Sequence, residues 1–297
     1  MEFNLLVLFI SIFLTILFPN RIDLGVVENL KIDEASGISS SKNNSHLVWV
    51  HNDSGDLPKI YGVGMDGSHL GSLKLKGIIA RDWEDMCVGP GPQKNIDYLY
   101  VGDIGDNFSK FKKKKIHRFK EPIIDLKVDL PFDLKIKDFD TIVFTYPDGN
   151  RDAEALMIDP ITKDLYVLSK RESLVSIYRL PFPQSVSKVI EAEKVGSFEV
   201  SPEKSYRHSD QITAADISPD GKRIIIKTYY DIIMINNFDN NIASAFSSKQ
   251  MKLDYIPESG GEAVCWSWDQ SGYYTISEQT KDFPVHLYFY PFLSDNY

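Results

Sequence analysis

Five short segments of this chain repeat one another, and they constrain its folding more than any other feature. They are Glu34-Ala-Ser-Gly-Ile38, Asp82-Trp-Glu-Asp-Met86, Asp152-Ala-Glu-Ala-Leu156, Thr213-Ala-Ala-Asp-Ile217 and Gly260-Gly-Glu-Ala-Val264. Each joins acidic or small residues to an apolar one. Each is followed by an apolar stretch, a turn rich in Gly, Pro, Asn or Asp, and a second apolar stretch, which predicts a β-hairpin every time. A third strand then follows: KIYGVGMDG, KKIHRFKEP, VSIYRLPFP, DIIMINN and VHLYFYPF. HLGSLKL, DTIVFTYP, AEKVGSFEV and MKLDYIP supply fourth strands to the first four repeats. The last repeat lacks one. The stretch LGVVENLKI (residues 24–32) has no repeat of its own and completes that sheet.

A repeated four-stranded unit, with the first strand of the chain closing the last sheet, is the pattern of a β-propeller. The expected fold is therefore all-β: a single propeller of about five four-stranded antiparallel blades over residues 22–297. From Ile38 through Met86, Leu156 and Ile217 to Val264 the steps are 48, 70, 61 and 47 residues. The two long steps hold insertions. The first, EPIIDLKVDLPFDLKIKD, reads as a loop or an extra hairpin and has room for a sixth blade; the second includes SPEKSYRHSDQ.

Residues 5–18 are apolar except for Ser11 and Thr15, a length that suits a signal-peptide core better than a membrane span. Residues 1–20 are thus expected to be a signal peptide or an N-terminal anchor, and the protein to be secreted or extracytoplasmic. Membrane contact is expected only through that segment. Cys87 and Cys265 are the only cysteines, too few for a disulfide framework. The net charge of −9 argues against nucleic acid as a partner and favours a metal or a cationic one.

The first strand of a blade lines the central channel, so residues recurring at its start converge near the axis. These residues are acidic: Glu34, Glu84 or Asp85, Glu154, Asp216 and Glu262, joined by Asp82 and Asp152 one or two places earlier. Crowded carboxylates repel one another unless a cation neutralises them, and oxygen donors suit a hard cation such as Ca2+ or Mg2+. A second set sits at the ends of the second strands: Asp53 in HNDSGD, Asp103 and Asp106 in GDIGDN, Lys170 and Arg171, and Glu278. With Arg81 and Arg151, this set would surround one funnel mouth where an unidentified ligand or protein binds a monomeric propeller. The same acids also fit backbone-capping or ion-pairing roles. His51 reads either as a turn histidine or as a base, and Trp49, Trp83, Trp266 and Trp268 either as core or as a sugar-stacking set.

The motifs HNDSGD, RDWED, YVGDIGDN, RDAEAL, ADISPDG and GEA, in this order, resemble those of a family of uncharacterised exported β-propeller proteins. More distantly, the chain is similar to phytase-like and SdiA-regulated propellers. The resemblance implies the propeller fold and export; its phytase-like side implies calcium and phosphoester hydrolysis. Motifs of serine hydrolases, zinc peptidases and P-loop proteins are absent. Two functions fit: an exported binding module with an acidic, Ca2+-holding funnel, and a metal-dependent phosphoester hydrolase.

Overall fold

Each of the five repeats folds into one antiparallel sheet. The computed structural model describes residues 20–125, 127, 130–200 and 206–292, so the expected signal peptide or anchor lies outside the described residues. The chain enters through β1 (Ile22–Val26), whose partner comes last. The first blade is β2 (Ala35–Ser40), β3 (Leu47–Asn52), β4 (Lys59–Gly64) and β5 (His69–Leu75). The second begins with β6 (Trp83–Pro90), β7 (Asp97–Asp103) and β8 (Lys114–Lys120); after β9 (Phe132–Ile136) it ends with β10 (Asp140–Thr145). The third is β11 (Ala153–Ile158), β12 (Leu165–Ser169) and β13 (Leu174–Leu180), and β14 (Ile190–Glu191) intervenes before its last strand, β15 (Glu193–Glu199). The fourth is β16 (Ile212–Ile217), β17 (Arg223–Thr228), β18 (Ile232–Asn236) and β19 (Gln250–Lys252). The fifth is β20 (Gly261–Trp266), β21 (Gly272–Ser277) and β22 (His286–Pro291), and β1 completes it.

Closure follows from that last pairing. Ile22 faces Phe289 and Val26 faces His286 across β1 and β22, so the outer edge of the fifth sheet is paired by the start of the chain. The closing strand begins two residues earlier than the hydrophobic pattern suggested. The chain turns after Val27, where Ile32 N–H donates to Asn29 O. Because strands alternate in direction, Ile22 lies at the end of its blade opposite the one that carries Gly261 and Ser277.

The insertions form no sixth blade among the described residues. β9, between the third and fourth strands of the second blade, runs back and pairs in parallel with β5 of the first. β14 repeats the move from the third blade onto β10 of the second. The same connection in the fourth blade carries the one-turn helix α1 (Ile242–Ala245), beyond which Gln250 Nε2 donates to Glu199 O of the third blade. Three connections thus cover the outer edge of the preceding blade, a recognised protection against edge-to-edge aggregation.

The core is not central. Five apolar clusters fill the five seams between neighbouring blades. Alternation along a strand sends successive side chains to opposite seams: Ala214 packs toward the fifth blade and Ala215 toward the third. The first strands are covered on both faces, and every residue of β2, β11 and β20 is buried. Trp49, Trp83 and Trp266 are at most 1% exposed and fill these seams, each stabilising the fold by about 1.5–3 kcal/mol on the usual burial scale. They are core residues, so they cannot stack on a sugar. Cys87 and Cys265 are buried free thiols.

Candidate functional site

All five first strands carry a β-bulge at the same place. The register slips between Ala35 and Gly37, Trp83 and Asp85, Ala153 and Ala155, Ile212 and Ala214, and Gly261 and Ala263. The extra residue is Ser36, Glu84, Glu154, Thr213 or Glu262. A bulge re-aims its side chain away from the regular pleat, here at the start of each strand lining the axis. In the fourth blade the position belongs to Thr213, whereas the repeat pattern had placed Asp216 in the ring.

These five side chains act in two ways. Ser36 Oγ donates to Glu84 O at 2.6 Å and Thr213 Oγ1 donates to Glu262 O at 2.7 Å, each tying its blade to the next. The three glutamates instead gather charge. Carboxylate oxygens of Glu84, Asp152 and Glu154 lie within 4.8 Å of one another, and Asp53, Asp82 and Glu84 form a second such group. Glu84 belongs to both. Gly105, in the GDIGD loop, makes room for them: a Cβ there would collide with the Glu84 and Asp82 carboxylates.

The second strands deliver the rest of the mouth through recurring backbone bonds. Asp53 N–H donates to Glu34 O, Lys170 N–H to Asp152 O and Glu278 N–H to Gly260 O. Lys170 Nζ meets Glu154 Oε1 at 2.7 Å, and Arg171 Nε meets Asp152 Oδ2 at 2.7 Å. Arg81 pairs with the fully buried Asp103 at 3.2 Å and donates to the carbonyls of Asp103 and Gly105. Arg151 turns outward to Glu172 and Asp148. Asp106 accepts from Lys110 N, Phe111 N and Lys114 Nζ, which holds its carboxyl below the ordinary range despite burial and commits it to shaping the loop.

Two of the acids sit deeper in the channel. Asp85 Oδ2 accepts from Leu156 N at 2.9 Å and Ala215 N at 3.3 Å, bridging the second, third and fourth blades. Asp216 Oδ2 accepts from Trp266 N at 2.9 Å, joining the fourth blade to the fifth. Burial raises the pKa of both, that of Asp216 to about 7 even with two accepted amide bonds. His51 is buried against Trp83, its Nδ1 is bonded to Asn52 O, and burial lowers its pKa to about 4.

The mouth is strongly acidic. Burial raises the pKa of Glu84, and the neighbouring Glu154, Asp53 and Asp82 charges raise it further. Glu154 is pushed up to about 8 by burial, even though Lys170 pulls it down. Burial and neighbouring acids bring Asp82 to about 6 and Glu278 to about 7, and raise Glu34; burial also raises Asp53, Asp103 and Glu262, each partly offset by a neighbouring cation. The pKa of Lys170 is raised as well: burial opposes its charge, and the attraction of Glu154 outweighs that. Oxygen donors in this arrangement suit a hard divalent cation, which prefers carboxylate ligands and would discharge their mutual repulsion.

Sequence reasoning missed Tyr229, Lys227 and Glu258, and it missed the place of Thr213 in the ring. Tyr229 donates its hydroxyl to Glu262 Oε1 at 3.1 Å, and Lys170 Nζ lies 5.5 Å from its ring centroid. The turn after each first strand would have identified Thr213. Aligning Asp159-Pro160 with Ser218-Pro219 sets Glu154 opposite Thr213 and Leu156 opposite Ala215.

Fold and mouth together define a five-bladed β-propeller with an acidic funnel at one end of its axis. A luciferin-regenerating enzyme is similar at TM-score 0.49 and 10% identity, over 93% of this chain and 96% of that one. The WD40 domain of Neurospora crassa Pan2 is similar at TM-score 0.45 and 10% identity, over 92% and 96%. No family profile and no curated protein matches the chain.

Proposed function

We propose that this chain is an exported, monomeric β-propeller binding module whose funnel takes a divalent cation of the Ca2+ class and recognises a ligand or protein at its mouth. The observation that carries this reading is Glu84, whose carboxylate is shared by two groups of acids at ligating separation. Glu84, Asp152 and Glu154 on one side, and Asp53 and Asp82 on the other, would hold the ion. Asp103, Glu262 and Glu278 add negative field around it, and Lys170, Arg171 and Arg81 flank the approach. The motif resemblance to exported propellers supports the extracytoplasmic location.

Elemental analysis of purified protein, with melting curves in calcium and in EDTA, tests this. Stoichiometric calcium and a clear drop in melting temperature on chelation are expected; a metal-free protein indifferent to calcium would refute the cation.

A second reading, hydrolysis of phosphoesters, is favoured by one observation: Glu154 and Asp82 carry pKa values of about 8 and about 6, near the range in which a carboxyl group transfers protons at neutral pH. Calcium-dependent turnover of an aryl phosphate, abolished in a still-folded Glu154→Gln variant, would establish it. Absence of turnover leaves the binding module.

A further inference from the structure

Beside the funnel, between the fourth and fifth blades, lies a cleft of about 510 Å3, well within the range of about 300–1,000 Å3 typical of small-molecule sites. Tyr229 separates it from the funnel: its ring lines the cleft while its hydroxyl reaches Glu262. His208 stacks on Tyr229 with ring centroids 5.5 Å apart and an interplanar angle of 14°. Tyr230, 58% exposed, stands next to them. Aromatic faces at a polar opening offer contact to the C–H face of a ring.

Glu258 lines the same cleft. Its Oε1 accepts from Thr275 Oγ1 at 2.6 Å, which fixes the carboxylate. Its Oε2 is buried and has no hydrogen-bond partner among the described residues. Lys227 does not serve it, because its ammonium donates to Thr228 O, Tyr255 Oη and Gly261 O. Buried polar atoms in folded proteins almost always have partners, so an unpaired acceptor on a cleft wall calls for a donor from outside.

Charge narrows the ligand class. Among the described residues no Lys or Arg side chain lines the cleft, so an anion would find no cation free to pair with it. A cation would find Glu258 already balanced by the nearby Lys227. A neutral donor-rich ring meets neither objection. We propose that this cleft is a binding subsite for a neutral polyhydroxylated ring, a sugar residue, whose C–H face lies on the His208, Tyr229 and Tyr230 platform and whose hydroxyl donates to Glu258 Oε2. The hydroxyls of Ser209 and Ser259 on the lining add further polar contacts. The subsite stands on its own geometry and does not require a cation in the funnel.

Saturation-transfer NMR on the purified protein tests this, using neutral methyl glycosides of the gluco, galacto, manno and N-acetylgluco series, with benzoate and benzylamine as charged ring probes. At least one glycoside is expected to receive transfer in both calcium and EDTA. The exposed substitution Tyr230→Ala should weaken it about tenfold or more, 1.4 kcal/mol, with an unchanged melting curve, and Glu258→Gln should weaken it as well. Transfer to no glycoside, equal transfer in Tyr230→Ala, or preference for either charged probe would overturn the proposal. Because the EDTA arm is read separately, failure of the funnel's cation leaves this result standing.

Discussion

Lys170 closes over Glu154 at 2.7 Å, both side chains almost fully buried at the centre of the molecule. The lysine directly follows the second strand of the third blade, and the glutamate occupies the bulge in the first. This ion pair occupies the same carboxylate that a funnel cation would use. It offsets part of the acidic field without removing it, since Glu84, Asp152 and Asp53 remain close by.

Replacing Lys170 by Met should therefore have two opposite effects. Calcium affinity, measured by titration calorimetry, should rise, because a competing positive charge leaves the site. Stability in EDTA should fall by about 3–5 kcal/mol, the usual cost of stripping one partner from a buried pair. Loss of calcium binding in Lys170→Met would show that the lysine shapes the site and does not compete for it.

Acid sensitivity should carry a histidine signature. Burial lowers His51 and His117 from 6.5 to about 4. Between those values the unfolded chain binds protons that the folded one refuses, so the stability they contribute is present above pH 6.5 and lost as pH falls through 4. A shift of this size corresponds to about 3 kcal/mol for each histidine. The raised carboxyls of Glu154 and Glu278 act in the opposite sense, so the comparison must isolate one group. Wild type should lose melting temperature relative to His117→Phe as pH falls from neutral toward 4; parallel curves would remove His117 from the account.

The hydroxyl ties between blades should be separable from the funnel. Ser36→Ala and Thr213→Val each remove a donor to a neighbouring blade's carbonyl, at a cost of about 1–3 kcal/mol. They act in different seams, so their effects on denaturant midpoints should add, while calcium affinity stays at the wild-type value. A change in affinity in either variant would mean that ring geometry and cation site are coupled.

Much of the architecture was legible because each blade repeats one hydrophobic pattern. The third strands, the fourth strands and the closing role of the N-terminal strand all follow from local alternation and turn residues such as Asp159-Pro160 and Ser218-Pro219. The insertion before β10 was ambiguous for a physical reason: an isolated strand is the same whether it starts a new blade or covers an old one. Its parallel pairing with β5 depends on a distant partner.

The acids show the same division. Their presence at the start of each first strand can be read from composition and spacing alone, because a repeat places equivalent residues near one axis. Which of them meet is a tertiary matter. The bulges turn Glu84, Glu154 and Glu262 into the mouth, while Asp85 and Asp216 bond backbone amides of other blades. Glu258 and Tyr229 carry no repeat signal and come together only where the fourth and fifth blades meet. The sequence by itself determined a ring of blades with carboxylates near its axis, since both follow from local periodicity. Only the tertiary structure decided which carboxylates share a site, which ones join the blades, and that a cleft opens beside the funnel, because those relationships depend on distances between residues far apart along the chain.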